Sequence, residues 1–252
     1  MTESVTADAY LALITDTVQR VGRSQADAVR RAAELITAGL DEGGVLQAFG
    51  SGHSEALAME LAGRAGGLVP SNRIALRDMV LHGDQPRTVL DDPFLERDPA
   101  VAHRLLETAP VHPADVFAIA SNSGINGVVV ELAAQIKERG HRLIAFTSAE
   151  HSARSASRHP SGKRLADFAD VVLDNGAPYG DAAMPLPGGG AVGAVSSVTA
   201  AVLAQMIVAE VARRFVDSGE QPPIYLSANM EGGDEHNRAL EERYTGRIRR
   251  TA

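Results

Sequence analysis

Apolar and polar residues follow two rhythms along this chain. Over residues 5–40, and most clearly in QADAVRRAAELITAGL, apolar side chains return every three or four positions, which predicts two amphipathic helices. From residue 44 the rhythm changes to short apolar runs separated by helical ones. GVLQAF (44–49) predicts a strand, followed by a helix from His53 to about Arg64. GLVPSNRIAL holds a short strand, residues 83–92 read as a loop and 93–109 as a helix. ADVFAIAS (114–121) predicts a buried strand, and INGVVVELAAQIKERG an amphipathic helix closed by Gly140. HRLIAFTS gives a further strand, 149–163 a polar loop, and ADVVLDN (169–175) the last strand. The glycine-rich run GAPYGDAAMPLPGGG then leads into a long Ala/Val-rich helix from about 192 to 215. Residues 222–244 supply a loop and a final helix.

Strands apolar on both faces, alternating with helices, predict an α/β fold: a doubly wound, flavodoxin-like, five-stranded parallel sheet flanked by helices. Ligands of such sheets sit beyond the carboxyl ends of the strands. No internal repeat or long linker divides the chain. We therefore expect one domain over 1–252, with its core at about 36–215, a helical segment at 5–40 and a tail at 216–252.

Composition narrows the partners. The net charge is −8 and aromatics make up 4% of the 252 residues, which argues against nucleic acid, whose binders need a basic face and stacking rings. For the same reason residues 5–40 are not read as a DNA-binding helix-turn-helix; packing or contact between subunits is their expected role. There is no cysteine, so disulfides, thiolate nucleophiles and Cys-type zinc sites are excluded. No apolar run approaches the roughly 18 residues of a membrane span, and the first residues lack a basic-then-apolar signal pattern. The expectation is a cytoplasmic protein that meets no membrane.

Two turns carry candidate chemistry. FGSGHS follows the first strand and offers Ser51, His53 and Ser54; ASNSGIN follows the third and offers Ser121, Asn122, Ser123 and Asn126. Helix N-termini have unpaired N–H groups and a partial positive charge, so they attract anions. Neither turn spells GxGxxG or GxxxxGK[ST], which disfavours a dinucleotide or a triphosphate. A single phosphate on a sugar fits better; for Ser54, plain N-capping is the competing explanation.

ASNSGINGVVVELAAQIKERGHRLIAFTS resembles the second half of a sugar isomerase (SIS) domain, with its Ser-x-Ser-Gly turn, Ala-rich helix and apolar strand ending in Thr. The likeness runs over about residues 36–215. It implies that Ser121, Ser123 and Asn126 cradle the phosphate of a phosphosugar. GHSEALAMELAGR is similar to the stretch of phosphoheptose isomerases that ends Glu-Leu-x-Gly-Arg, which makes Glu60 the matching catalytic base. Glu60 follows Ser54 by six residues, about 9 Å along a helix; an Arg64-paired glutamate is the alternative. Such isomerases also use a histidine to open the sugar ring, and His236 is the candidate. Ala56 stands where some of them place a zinc-binding histidine, and HxxxH and HExxH are absent, so neither a metal nor another cofactor is expected. The resemblance also makes Ser196 and Ser197 substrate contacts. His82 and Asp84 could touch substrate or form a simple turn, and Arg158, His159 and Lys163 could meet an anion or sit in a solvated loop. SIS domains commonly pair, so a homodimer or homotetramer with sites near the interface is implied.

The chemistry implied is removal of the C2 proton of an open-chain sugar phosphate by a carboxylate. With a hydroxyl at C2 the outcome is aldose–ketose isomerisation; with an acetamido group it is elimination. The chain lacks the Gly-Thr-Ser-Gly-Arg turn of N-acetylmuramic acid 6-phosphate etherases, and its tail SANMEGGDEHN is unlike that of phosphoheptose isomerases. It looks most like the separate single-SIS branch, in which an actinobacterial dehydratase is known. The expectation is water loss from N-acetylglucosamine 6-phosphate, with isomerisation, or sensing without turnover, as alternatives.

Overall fold

The computed structural model describes residues 5–250. Two helices open it, α1 (Ala7–Ser24) and α2 (Ala26–Asp41), as the spacing predicts. Then come β1 (Leu46–Gly50), α3 (Glu55–Leu61), β2 (Ser71–Ile74), α4 (Asp78–Leu81) and α5 (Ala100–Thr108). They are followed by β3 (Val116–Ala120), α6 (Gly127–Glu138), β4 (Arg142–Thr147), α7 (Ala149–Ala153) and β5 (Val171–Asp174). A hairpin of β6 (Ala182–Pro185) and β7 (Ala191–Ala194), then α8 (Ser196–Asp217) and α9 (Gly233–Glu241), complete the order.

β1 to β5 form one parallel sheet in the order β2-β1-β3-β4-β5, the flavodoxin-like order of doubly wound folds. The alternation within strands decides which layer each residue serves. Val116, Ala118 and Ala120 face the layer containing α2, α3 and α8. Phe117 and Ile119 face α5 and α6. Both sides are apolar, and so β3 reads in sequence as an unbroken apolar run. Among the described residues, α8 is the one helix long and apolar enough to cross a membrane, against the expectation of none. It is a core helix: Leu203, Ala204, Ile207 and Val211 are buried in the α2–α3 layer.

Three local expectations need correction. The helix expected at 93–109 begins only at Ala100. Asp98 precedes Pro99 and is extended, and residues before proline are pushed out of the helical region. The long helix expected from about 192 starts at Ser196, because 191–194 pair antiparallel with 182–185. The polar loop at 149–163 opens with the short helix α7.

At the amino edge of the sheet, Asp115 is buried and collects four donors. Its carboxylate accepts from the amides of Val45 and His112 and from Gln47 Nε2, each at 2.9 Å, and pairs with Arg247 at 2.6 Å. The tail is thereby fastened beneath β1 and β3.

Candidate active site

β1 and β3 are neighbours whose following connections leave in opposite directions, so a crevice opens at their carboxyl ends. His53 and Ser54 wall it on one side, Ser121 and Asn122 on another. Ser196, Ser197 and Ala200 of α8 close the third side, with Phe146 and Asn175 contributed from β4 and the end of β5. Six residues singled out from the sequence thus meet in one small cleft.

The turn after β3 is held from every direction. Ser121 Oγ accepts the amide of Gly124 at 3.1 Å, and Gly124 has φ +66°, a conformation that suits glycine. The carbonyl of Asn122 accepts from the amide of Ser148 at 3.0 Å and from Thr147 Oγ1 at 3.2 Å. Asn122 Oδ1 accepts from Asn175 Nδ2 at 3.0 Å. Asn126 is the N-cap residue of α6, and its Oδ1 accepts from Arg158 Nη1 at 2.8 Å. Asn126 and Ser123 do not line the cleft. Asn175 was missed in the sequence; its signal was a polar residue closing an apolar strand.

The turn after β1 is equally constrained. A Cβ on Gly50 would stand 2.2 Å from the carbonyl oxygen of Ser54. Gly50→Ala should therefore displace the His53–Ser54 wall and cost about 1–3 kcal/mol. Thermal melting together with a phosphosugar-binding titration would check this, the expectation being a lower melting temperature and lost binding.

Other expected residues lie elsewhere in the single chain. Ser51 does not face this cleft; its hydroxyl donates to Glu96 at 2.9 Å. The Glu60 carboxylate pairs with Arg64 and accepts from Gln205 Nε2 of α8 at 2.6 Å, outside the cleft. His236 is exposed on α9, with Nε2 at 3.1 Å from the carbonyl oxygen of Ile224. His82 and Asp84 are exposed and line no part of the cleft. His159 binds Glu131 at 2.8 Å, and Lys163 lies over the Phe168 ring. Burial works against ionising Glu131, but hydrogen bonds from Gln135 and His159 hold its carboxyl below the usual range.

The first turn of α8 is already answered from within. Asp181, at φ +71°, accepts the amide of Ser196 at 2.7 Å and that of Val195 at 3.2 Å, and takes the Ser196 hydroxyl at 2.9 Å. Among the described residues, no group of three or more His, Asp or Glu side chains is arranged to hold a metal ion.

Residues 9–148 match the family pattern of the SIS domain. A UPF0309 protein of Listeria monocytogenes is 40% identical over 234 residues, spanning 91% of this chain and 93% of its own. Among solved structures, the phosphoheptose isomerase of Neisseria gonorrhoeae is similar at a TM-score of 0.54 and 20% identity, over 81% of this chain and 96% of that one. The Vibrio vulnificus NanR protein complexed with ManNAc-6P is similar at 0.51 and 14% identity, over 93% of this chain and 67% of its own. These two structural likenesses establish the fold.

Proposed function

The chain belongs to the SIS domain family, and from that premise we propose that it acts on an (amino)sugar 6-phosphate by removing the C2 proton, with loss of water from N-acetylglucosamine 6-phosphate as the outcome. The observation that carries this reading is the meeting of three turns, far apart in sequence, in one cleft at the switch point of the sheet. Hydroxyls of Ser54 and Ser121, and the amide of Asn122, are groups a phosphate monoester needs, and the N-terminus of α6 stands behind them, while the Ser197 hydroxyl meets the sugar. Ser123 and Asn126 stand outside the cleft, and in this reading they shape the turn that grips the phosphate, Asn126 as the N-cap of α6 held by Arg158.

The base is Glu60, whose carboxylate must first leave Arg64 and Gln205. His236 opens the ring, and because it lies outside the cleft of its own chain, it acts in the site of a second copy. Pairing of two chains is thus part of the proposal. The open-chain aldehyde acidifies C2–H; an acetamido group at C2 obstructs transfer to a ketose and leaves expulsion of the C3 hydroxyl.

Isomerisation is the second reading, favoured by the Glu-Leu-Ala-Gly-Arg run at 60–64. A sensor that binds without turnover is the third, favoured by the engaged state of Glu60. Incubation with a panel of sugar 6-phosphates in deuterated water, followed by mass spectrometry, separates the three. Loss of 18 mass units from the N-acetylglucosamine ester is the expected result. Deuterium uptake with a ketose product supports isomerisation, and binding with neither change supports the sensor.

A further inference from the structure

Two walls of the cleft are joined behind it by one imidazole. Residues 175–181 form a strap from the end of β5 to the hairpin, and they touch both the turn after β3 and the first turn of α8. At one end Asn175 donates to Asn122; at the other Asp181 caps α8. Between them the Gly180 amide reaches Nδ1 of His151, on α7, at 3.3 Å. The side-chain amide of Asn122 reaches the same nitrogen, also at 3.3 Å.

A backbone amide fixes the direction of these bonds. Ala177 N–H donates to Asn175 Oδ1 at 3.0 Å, so the other end of that side chain is its NH2 group, which donates to Asn122 Oδ1 at 3.0 Å. The nitrogen of Asn122 is thereby the group that faces His151. Two N–H donors meet Nδ1, which must hold its lone pair, and the neutral ring carries its proton on Nε2. One lone pair shared between two donors makes both contacts long. An imidazolium would set a third N–H against these two.

The charged neighbours are engaged elsewhere. Glu150 accepts the Tyr179 amide at 3.2 Å and pairs with Arg154 at 3.3 Å. Arg154 covers the Tyr179 ring, 4.1 Å from its centre, and that ring lies 4.9 Å from the imidazole. Asp174 is taken by the amides of Ala149 and Gly176, and Asp181 by those of Val195 and Ser196. The turn at 121–125 holds no titratable side chain, and His53 stands on another wall of the cleft.

We infer that His151 is a positioning residue for phosphosugar binding: its neutral Nδ1 ties Asn122 to Gly180, and so holds the turn that grips the phosphate and the strap that caps α8 in one arrangement. This rests on the reading of the cleft as a phosphate site. The link is present while the ring is neutral. It is lost as the pH falls and Nδ1 takes a proton, and affinity for the phosphosugar falls with it.

The test titrates the borohydride-reduced form of N-acetylglucosamine 6-phosphate, which has no C1 carbonyl to acidify C2–H and is therefore not turned over. Binding is measured at about pH 8 and about pH 5.5, near the ends of the range in which imidazoles change charge. His151→Asn puts a carbonyl oxygen near the place of Nδ1 and takes up no proton there; His151→Leu offers no acceptor. On acidification the parent should lose about threefold to tenfold more affinity than His151→Asn, the span one hydrogen bond supplies. The ester's second proton and His53 act alike in both proteins, so the difference belongs to residue 151. At the higher pH, His151→Leu should bind more weakly than the parent by about the same factor. Equal losses in the parent and His151→Asn overturn the inference, and so does parent-like binding by His151→Leu. If the leucine variant does not fold, the comparison of the parent with His151→Asn still decides. If the parent protein binds the reduced ester at neither pH, the phosphate reading of the cleft itself falls and takes this one with it.

Discussion

Replacing Glu60 by glutamine is expected to lower turnover of the sugar 6-phosphate by about 10²–10⁴-fold, the range a positioned general base supplies, and to leave phosphosugar affinity within about threefold. Such a pattern is that of a group acting in the transition state and not in ground-state binding. The opposite role predicts different numbers. Glu60 joins α3 to α8 through Gln205 and pairs with a half-exposed Arg64. A partly exposed pair of this kind contributes at most about 1 kcal/mol, and glutamine can still accept from Gln205. If Glu60 only ties the helices, the variant should melt slightly lower and turn over normally. Steady-state kinetics beside a direct binding measurement decide between the two, and unchanged kcat removes Glu60 from the mechanism.

Asp115→Asn should be the most damaging isosteric change away from the cleft, at about 3–5 kcal/mol. The side chain is fully buried, and all four of its partners are donors. An asparagine keeps the shape but turns one acceptor into a donor. That places N–H against N–H at His112 and Gln47, or at Val45 and Arg247, and leaves the guanidinium of Arg247 without its counter-charge. For a chain of this size the loss corresponds to a melting temperature lower by roughly 10 °C. Urea titration and thermal melting would report it, and a loss below about 1 kcal/mol would mean that the tail is held without this contact.

The parallel sheet was legible because its strands are buried on both faces and stand out as apolar runs. ADVFAIAS could be little else. The hairpin was not legible. Its strands are four residues each, contain proline or glycine, and are at best half-buried, so no alternation marks them. Residues 93–99 misled because helical spacing outweighed the two prolines that bracket them. In the site, serines at strand ends were visible as a pattern of local neighbours. His151 and Asn175 were not, because their significance comes from partners 29 and 53 residues away. The same limit applies to Glu60: its spacing from Ser54 could be read along one helix, but its engagement by Gln205, 145 residues on, could not.

Asp181 has a practical consequence for anyone designing an inhibitor. With that carboxylate seated on the amides of Val195 and Ser196, the longest helix in the molecule reaches the cleft with its positive pole largely compensated. A compound carrying a phosphonate should gain most by directing it toward residues 121–124. The end that approaches Ser197 should carry a neutral group such as an amide or a hydroxyl, since a second anion there would meet the repulsion of Asp181.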